Sequence, residues 1–277
     1  KDCLGKGMCL QGCRSERKQS TNLNFIPETL ELGGGLLSCA PVEKVIFEKR
    51  RAVGVKGRFL HPQSKKKGAP FEVRAKKAVI LAASATHSPV ILMQSGVKSP
   101  ALGAFFRAHP GAGMLGVYDE PVHMTNGATQ GWASTHFRNK PGMKLETLAL
   151  PLELVASRLS GGGAQLTERL KDFPHIAMWV QAIRAKTVGR VSRGILGRPV
   201  VHYSMCDSDL DCMIEGVQIL ARMHFEVGAK YVIPGIAGLP YSLDRDQVDS
   251  CVVCLDHGRL AVQRTLFRGA VAAQVSL

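Results

Sequence analysis

The chain has 277 residues, 45% of them hydrophobic, a mean hydropathy of +0.02 and a formal charge of +14. That is enough apolar material for one large domain or two, and no run of about 18 apolar residues is present to cross a bilayer as a helix. The charge is lopsided: residues 1–110 hold 19 Lys/Arg against 7 Asp/Glu, whereas residues 111–277 hold 17 against 15. A basic half suits nucleic acid, an anionic membrane or an acidic protein. The chain opens on Lys1-Asp2-Cys3, without a methionine or a signal peptide, so it reads as a segment of something longer and gives no compartment.

Residues 1–24 are rich in Cys, Gly and basic side chains, with no periodicity. Cys3, Cys9 and Cys13 form Cys-x5-Cys-x3-Cys. Gly5, Gly7 and Gly12 would let such a strip fold several sulfurs around one cluster, and Arg14, Arg17 and Lys18 would offset its negative charge. The spacing alone equally describes an exposed strip of spare thiols. Without a secretory signal, eight cysteines do not make a disulfide framework. Cys39, Cys206 and Cys212 are isolated, and Cys251-x-x-Cys254 lacks the second pair a zinc site needs.

Phe25 to Leu32 reads as a short helix stopped by Gly33-Gly34-Gly35. Leu36 to Phe47 and Ala52 to Phe59 read as strands joined by the charged turn Glu48-Lys49-Arg50-Arg51. The densest basic run, Lys65-Lys66-Lys67, lies between Pro62 and Gly68-Ala69-Pro70 with no aromatic interleaved. It reads as a solvated loop tip rather than a nucleic-acid surface. Val73 to Ile80 is predicted to be a strand, entering the small residues Ala82, Ala83, Ser84 and Ala85. A helix is then predicted from Ser88 as N-cap and Pro89 as first residue, through Val90-Ile91-Leu92-Met93, to a stop at Gly96. A strand, a turn of small residues and a capped helix can seat a nucleotide against bare amides, and they equally make an ordinary strand-to-helix connection.

Ser84 to Gly96 resembles the second signature of the glucose-methanol-choline (GMC) oxidoreductases, which bind FAD. Ser84, Ala85, Ser88, Pro89, Ile91, Leu92, Ser95, Gly96 and Val97 fit that pattern, and Lys98 stands in place of its last glycine. Leu102-Gly103 and His109-Pro110 resemble pairs that follow it in the family.

From Gly111 onward, Val117 to His123, Ile176 to Ile183 and Pro199 to Met205 read as strands. Helices are predicted over Ala164 to Phe173 and Asp209 to Val227, the latter capped by Ser208 and stopped by Gly228. Leu210, Met213, Val217, Leu220 and Val227 form its apolar stripe. The expected fold class is therefore mixed α/β. The resemblance makes residues 1–110 part of an FAD-binding domain with a Cys-rich N-terminal segment, and 111–245 an antiparallel-sheet substrate domain. Residues 246–277 read as an atypical tail, truncated or frame-shifted. The family's Gly-x-Gly-x-x-Gly loop is not found, and Gly33-Gly34-Gly35 precedes its strand rather than following one.

The resemblance places Val42 where a backbone meets the adenine of FAD, and Ala82, Ala83 and Ser84 beside the adenosine, with Ser84 in place of a common glycine. It also likens Cys3, Cys9 and Cys13 to the segment that holds a three-iron 3Fe-4S cluster in cytochrome-linked sugar dehydrogenases of this family. The implied chemistry is hydride transfer from a small-molecule alcohol, sugar or sterol-like substrate to the flavin, then electrons to that cluster and a cytochrome. No catalytic base is assigned: His87 and His109 stand beside family motifs but off the catalytic position, and His257 has the wrong context. The other reading is a catalytically incomplete remnant with only a binding or scaffold role.

Overall fold

The computed structural model describes residues 2–236 and 239–248. In chain order its elements are helix α1 (Phe25–Glu31), strands β1 (Val42–Glu48), β2 (Arg51–Leu60) and β3 (Lys67–Arg74), and helix α2 (Ser84–Gln94). Then come strands β4 (Gly111–Val117), β5 (Ala133–Ser134) and β6 (Met143–Thr147), and helices α3 (Leu152–Ala156) and α4 (Gly163–Leu170). Strands β7 (Ile176–Ile183), β8 (Arg190–Arg193) and β9 (Pro199–His202), helix α5 (Asp207–Glu226) and strand β10 (Tyr231–Ile233) follow. All ladders between these strands are antiparallel, and the class is mixed α/β.

The elements fall into two units. One, the basic unit, holds Thr21–Ala108 and Thr187–Ser204; the other, the sheet unit, holds the described parts of 1–20, 109–186 and 205–277.

In the basic unit, β1, β2 and β3 form a meander. Lys49 and Arg50, both at positive φ (46° and 70°), make the turn between β1 and β2. Two left-handed residues give a hairpin turn whose twist matches the strands. Helix α2 packs on β1 and on the β8–β9 hairpin through buried Val90. Two side chains fasten it: Ser95 Oγ accepts from Val45 N at 2.8 Å, and Gln94 Nε2 donates to the Gly197 carbonyl at 2.8 Å.

Two expectations need correction here. The predicted strand Val73 to Ile80 is not one: the ladder ends at Arg74, and Ile80 is 88% exposed. The run is broken by Arg74, Lys76 and Lys77, its last backbone bond to β2 runs from Ala75 N to the Val53 carbonyl, and among the described residues no strand pairs with residues 76–80. The helix begins at Ser84, a turn before the predicted Ser88 cap, and Pro89 lies inside it. The reason is local. Ser88 Oγ turns back to accept from Ala83 N at 3.1 Å instead of capping the residues ahead.

In the sheet unit, five strands run in the order β10-β4-β7-β6-β5. Helix α5 covers β4 and β7 on one face, burying Leu210, Met213 and Leu220 completely. On the other face Leu115, Val117, Ile176, Met178 and Ile233 pack against Leu150, Val155 and Leu159. Each such side chain contributes about 1.5–3 kcal/mol by leaving water. Strand β7 matches the predicted Ile176 to Ile183 run, but β4 is Gly111–Val117 rather than the predicted Val117 to His123. Its glycines, which argue against a strand in sequence, are demanded by close approach. A Cβ on Gly111 would lie 2.7 Å from the Gln181 carbonyl, and one on Gly116 would enter the His224 ring. Helix α5 starts at Asp207 with no side-chain cap from Cys206. The buried Asp209 carboxylate instead accepts from Lys186 N at 2.9 and 3.1 Å. Val227, expected on the apolar stripe, is exposed because the helix ends beside it.

Candidate functional site

The turn of small residues lies open. Ala82, Ser84 and Ala85 are exposed and Ala83 is half-buried, so no bulky side chain roofs the start of α2. Ser84 takes φ +73°, the left-handed region that favours glycine. Its hydroxyl offsets that strain by accepting from His87 N at 3.3 Å, a cap that glycine could not supply. The N-cap residue Ala83 contributes no side-chain cap of its own. An 11-residue helix thus presents its positive end beside exposed small residues, with the Ala83 and His87 amides held by the Ser88 and Ser84 hydroxyls, and that end suits an anionic or nucleotide ligand. The residues present fit the adenosine end of FAD in this respect.

Val42 belongs to the same unit. It opens β1, where the ladder slips between Val42 and Lys44. It lines a cavity of about 560 Å³ together with Lys44, Lys67, His87, Gln94 and Arg193. The cavity reaches α2 one turn beyond Ser84; Ala82, Ala83 and Ser84 do not line it.

The cysteine strip is in the sheet unit, and its glycines serve another purpose than the expected one. Gly7 N donates to the Gly127 carbonyl at 3.0 Å and Gly127 N to the Gly5 carbonyl at 2.9 Å, which stitches the strip to that loop. Gly7 passes so close to Thr125 that no Cβ fits. The thiols are engaged separately: Cys3 Sγ accepts from Gly5 N, and Cys13 Sγ meets Ser15 Oγ and Lys18 N, each at 3.4 Å. The Ser15 hydroxyl and then the Lys18 amide lower the Cys13 thiol to about 7, so it is partly thiolate at neutral pH. Among the described residues no group of three or more His, Cys, Asp or Glu side chains stands ready for a metal ion. Cys3, Cys9 and Cys13 do not converge, and as arranged they do not fit an iron–sulfur cluster.

No base emerges either. His87 and His109 are exposed, and His257 lies outside the described residues, as does Cys251-x-x-Cys254. His224, which the sequence reading passed over, is fully buried between β4, β7 and α5. Its ring stacks on Trp179 at 4.1 Å. The Met114 carbonyl, 3.2 Å from Nε2, can only accept, so Nε2 carries the proton and Nδ1 accepts from Tyr118 OH at 2.8 Å. Burial lowers this imidazole to about 4, and burial raises the Tyr118 phenol to about 12. With both nitrogens occupied and no solvent access, His224 is structural. Its place against Gly116 is set by the fold and carries no local sequence signal.

Comparison with known proteins gives the following. The GMC oxidoreductase family model matches residues 1–111. An uncharacterized GMC-type oxidoreductase of Mycobacterium tuberculosis is 31% identical over 239 residues, covering 86% of this chain and 37% of its own length. A long-chain-alcohol oxidase of Arabidopsis thaliana is 28% identical over 113 residues, 38% of this chain and 15% of its own. An oxygen-dependent choline dehydrogenase of Cronobacter sakazakii is 40% identical over 67 residues, 24% of this chain and 11% of its own. The chain spans less than half the length of these curated relatives. No helix of the described residues is long and apolar enough to cross a membrane.

Proposed function

We propose, given that this chain belongs to the GMC oxidoreductase family, that it forms part of an FAD-dependent oxidoreductase acting on the CH–OH group of an alcohol, sugar or sterol-like small molecule. The observation that carries the reading is the uncovered small-residue turn at the start of α2. The names of the Arabidopsis and Cronobacter relatives, an alcohol oxidase and a choline dehydrogenase, support a hydroxylated substrate.

Within this reading Ala82, Ala83 and Ser84 hold the adenosine end of the cofactor, their small side chains letting it approach the backbone. Val42 offers main-chain groups at the slipped start of β1. Helix α2 orients its N-terminal dipole toward phosphate oxygens. When bound, the flavin supplies the hydride acceptor for alcohol oxidation. In domain terms, the basic unit is the flavin-side part and the five-stranded sheet the substrate-side part. An iron–sulfur cluster and a cytochrome acceptor lie outside the proposal, because the cysteine strip does not gather its sulfurs.

The second reading, a remnant that keeps the fold without turnover, is favoured by the segment after Arg74, which has no ladder and leaves Ile80 88% exposed. One experiment separates the two. The purified chain is incubated with FAD, desalted and scanned for flavin absorbance at about 450 nm, in parallel with Ala83→Trp. The flavin reading expects retained absorbance in the natural chain and its loss in Ala83→Trp. A colourless natural chain that stays folded by circular dichroism favours the remnant.

A further inference from the structure

The basic unit carries 17 Lys/Arg against 5 Asp/Glu, so it holds +12 of the chain's +14. Part of the excess is gathered at one place. Lys44, Lys67 and Arg193 line the same cavity of about 560 Å³ as Ile195 and Leu196, which form the tip of the β8–β9 hairpin. Glu43 is the acidic residue in that lining, and its pairing with Lys67 at 3.8 Å is long and exposed, hence weak.

The tip itself is unusual. Ile195 is fully exposed and Leu196 is 82% exposed. Two adjacent large aliphatic side chains in water are unfavourable, and such a patch rimmed by charge marks a contact surface. The tip is also held in shape. Gly194 N donates to the Arg198 carbonyl at 2.8 Å and Gly197 N to the Gly194 carbonyl at 2.9 Å. Gln94 of α2 fixes Gly197 from behind, and Gly197 takes φ +71°, which a side chain would strain. A rigid turn therefore projects two aliphatic side chains beside three cations, on a unit of strong positive charge.

We propose that this hairpin tip and its basic groove form a docking surface for an anionic phospholipid bilayer. Ile195 and Leu196 enter the headgroup–acyl boundary while Lys44, Lys67 and Arg193 meet lipid phosphates and carboxylates. The pairing of apolar insertion with cationic attraction is what peripheral binding requires, since either alone is weak. Nucleic acid is the poorer partner: the groove offers aliphatic rather than aromatic side chains for bases to stack on.

The test is vesicle flotation with the full chain, in which aggregated protein stays at the bottom. Phosphatidylcholine vesicles containing phosphatidylserine are compared with pure phosphatidylcholine. The chain is expected to float with the anionic vesicles, with binding lost at high salt. Ile195→Ser/Leu196→Ser is expected to weaken binding about tenfold. Lys44→Gln/Lys67→Gln/Arg193→Gln is expected to weaken it about a hundredfold, at about fivefold for each charge near the surface. A charge-lowering control in the sheet unit, Arg138→Gln/Lys140→Gln, is expected to keep binding. Equal flotation with neutral vesicles overturns the proposal, as does a control that fails as badly as the groove variant. It is likewise overturned if the groove variants lose single-stranded RNA but still float.

Discussion

Replacing Gly116 by alanine is expected to destabilise the sheet unit by about 4 kcal/mol, a drop of about 10 °C in melting temperature for a chain of this size. The new methyl group would occupy the space of the His224 ring. The ring must then move, which disturbs the stack on Trp179, takes the partner from the half-buried Tyr118 hydroxyl and leaves the Met114 carbonyl buried without its own. Overpacking alone costs about 1–3 kcal/mol, and unpaired buried polar groups add about as much again. Gly131→Ala, where nothing lies within 4 Å of the added Cβ, is the control and should stay within about 0.5 kcal/mol. Thermal melts of the two variants check this. A Gly116→Ala protein as stable as the control would mean that His224 is not held against β4.

Acid is expected to act through the same ring. In the fold the His224 imidazole titrates at about 4, because burial disfavours the charged form, against about 6.5 in an unfolded chain. Between these values the unfolded state binds the extra proton. Stability is therefore complete above about pH 6.5 and declines as pH falls toward 4, by up to about 3 kcal/mol. Urea midpoints at pH 7 and pH 4.5 measure the loss. His224→Gln starts less stable but should lack this part of the slope. An unchanged slope in that variant would assign the acid sensitivity to other groups.

How far the sequence announced this molecule depends on which physics each segment obeys. Strand β7 was legible because Ile176 to Ile183 is a bounded apolar run, and the body of α2 because Val90 to Met93 follows a proline. Strand β4 was not, since its glycines answer to Gln181 and His224, partners that sequence does not place beside them. The start of α2 was misread because a serine that looks like a forward cap turns its hydroxyl back to Ala83. The cysteine spacing was plain, but Gly5 and Gly7 serve the contact with Gly127 and Thr125, not the gathering of sulfurs. Val42 and Ala82 to Ser84 do fall in one unit, and the openness of that turn could be learned only from the fold. The basic half was visible as charge. That Arg190, Arg193 and Arg198 return from late in the chain to join it was not.

The account turns on whether adenine dinucleotide lies against main chain at the entry to α2. Amide hydrogen exchange of the full chain, with and without FAD, reads this directly. Slowed exchange concentrated at Ala82 to His87 and at the start of β1 is the predicted result. FAD that leaves those amides unprotected, or that protects only the sheet unit, would contradict the cofactor site and the oxidoreductase reading built on it.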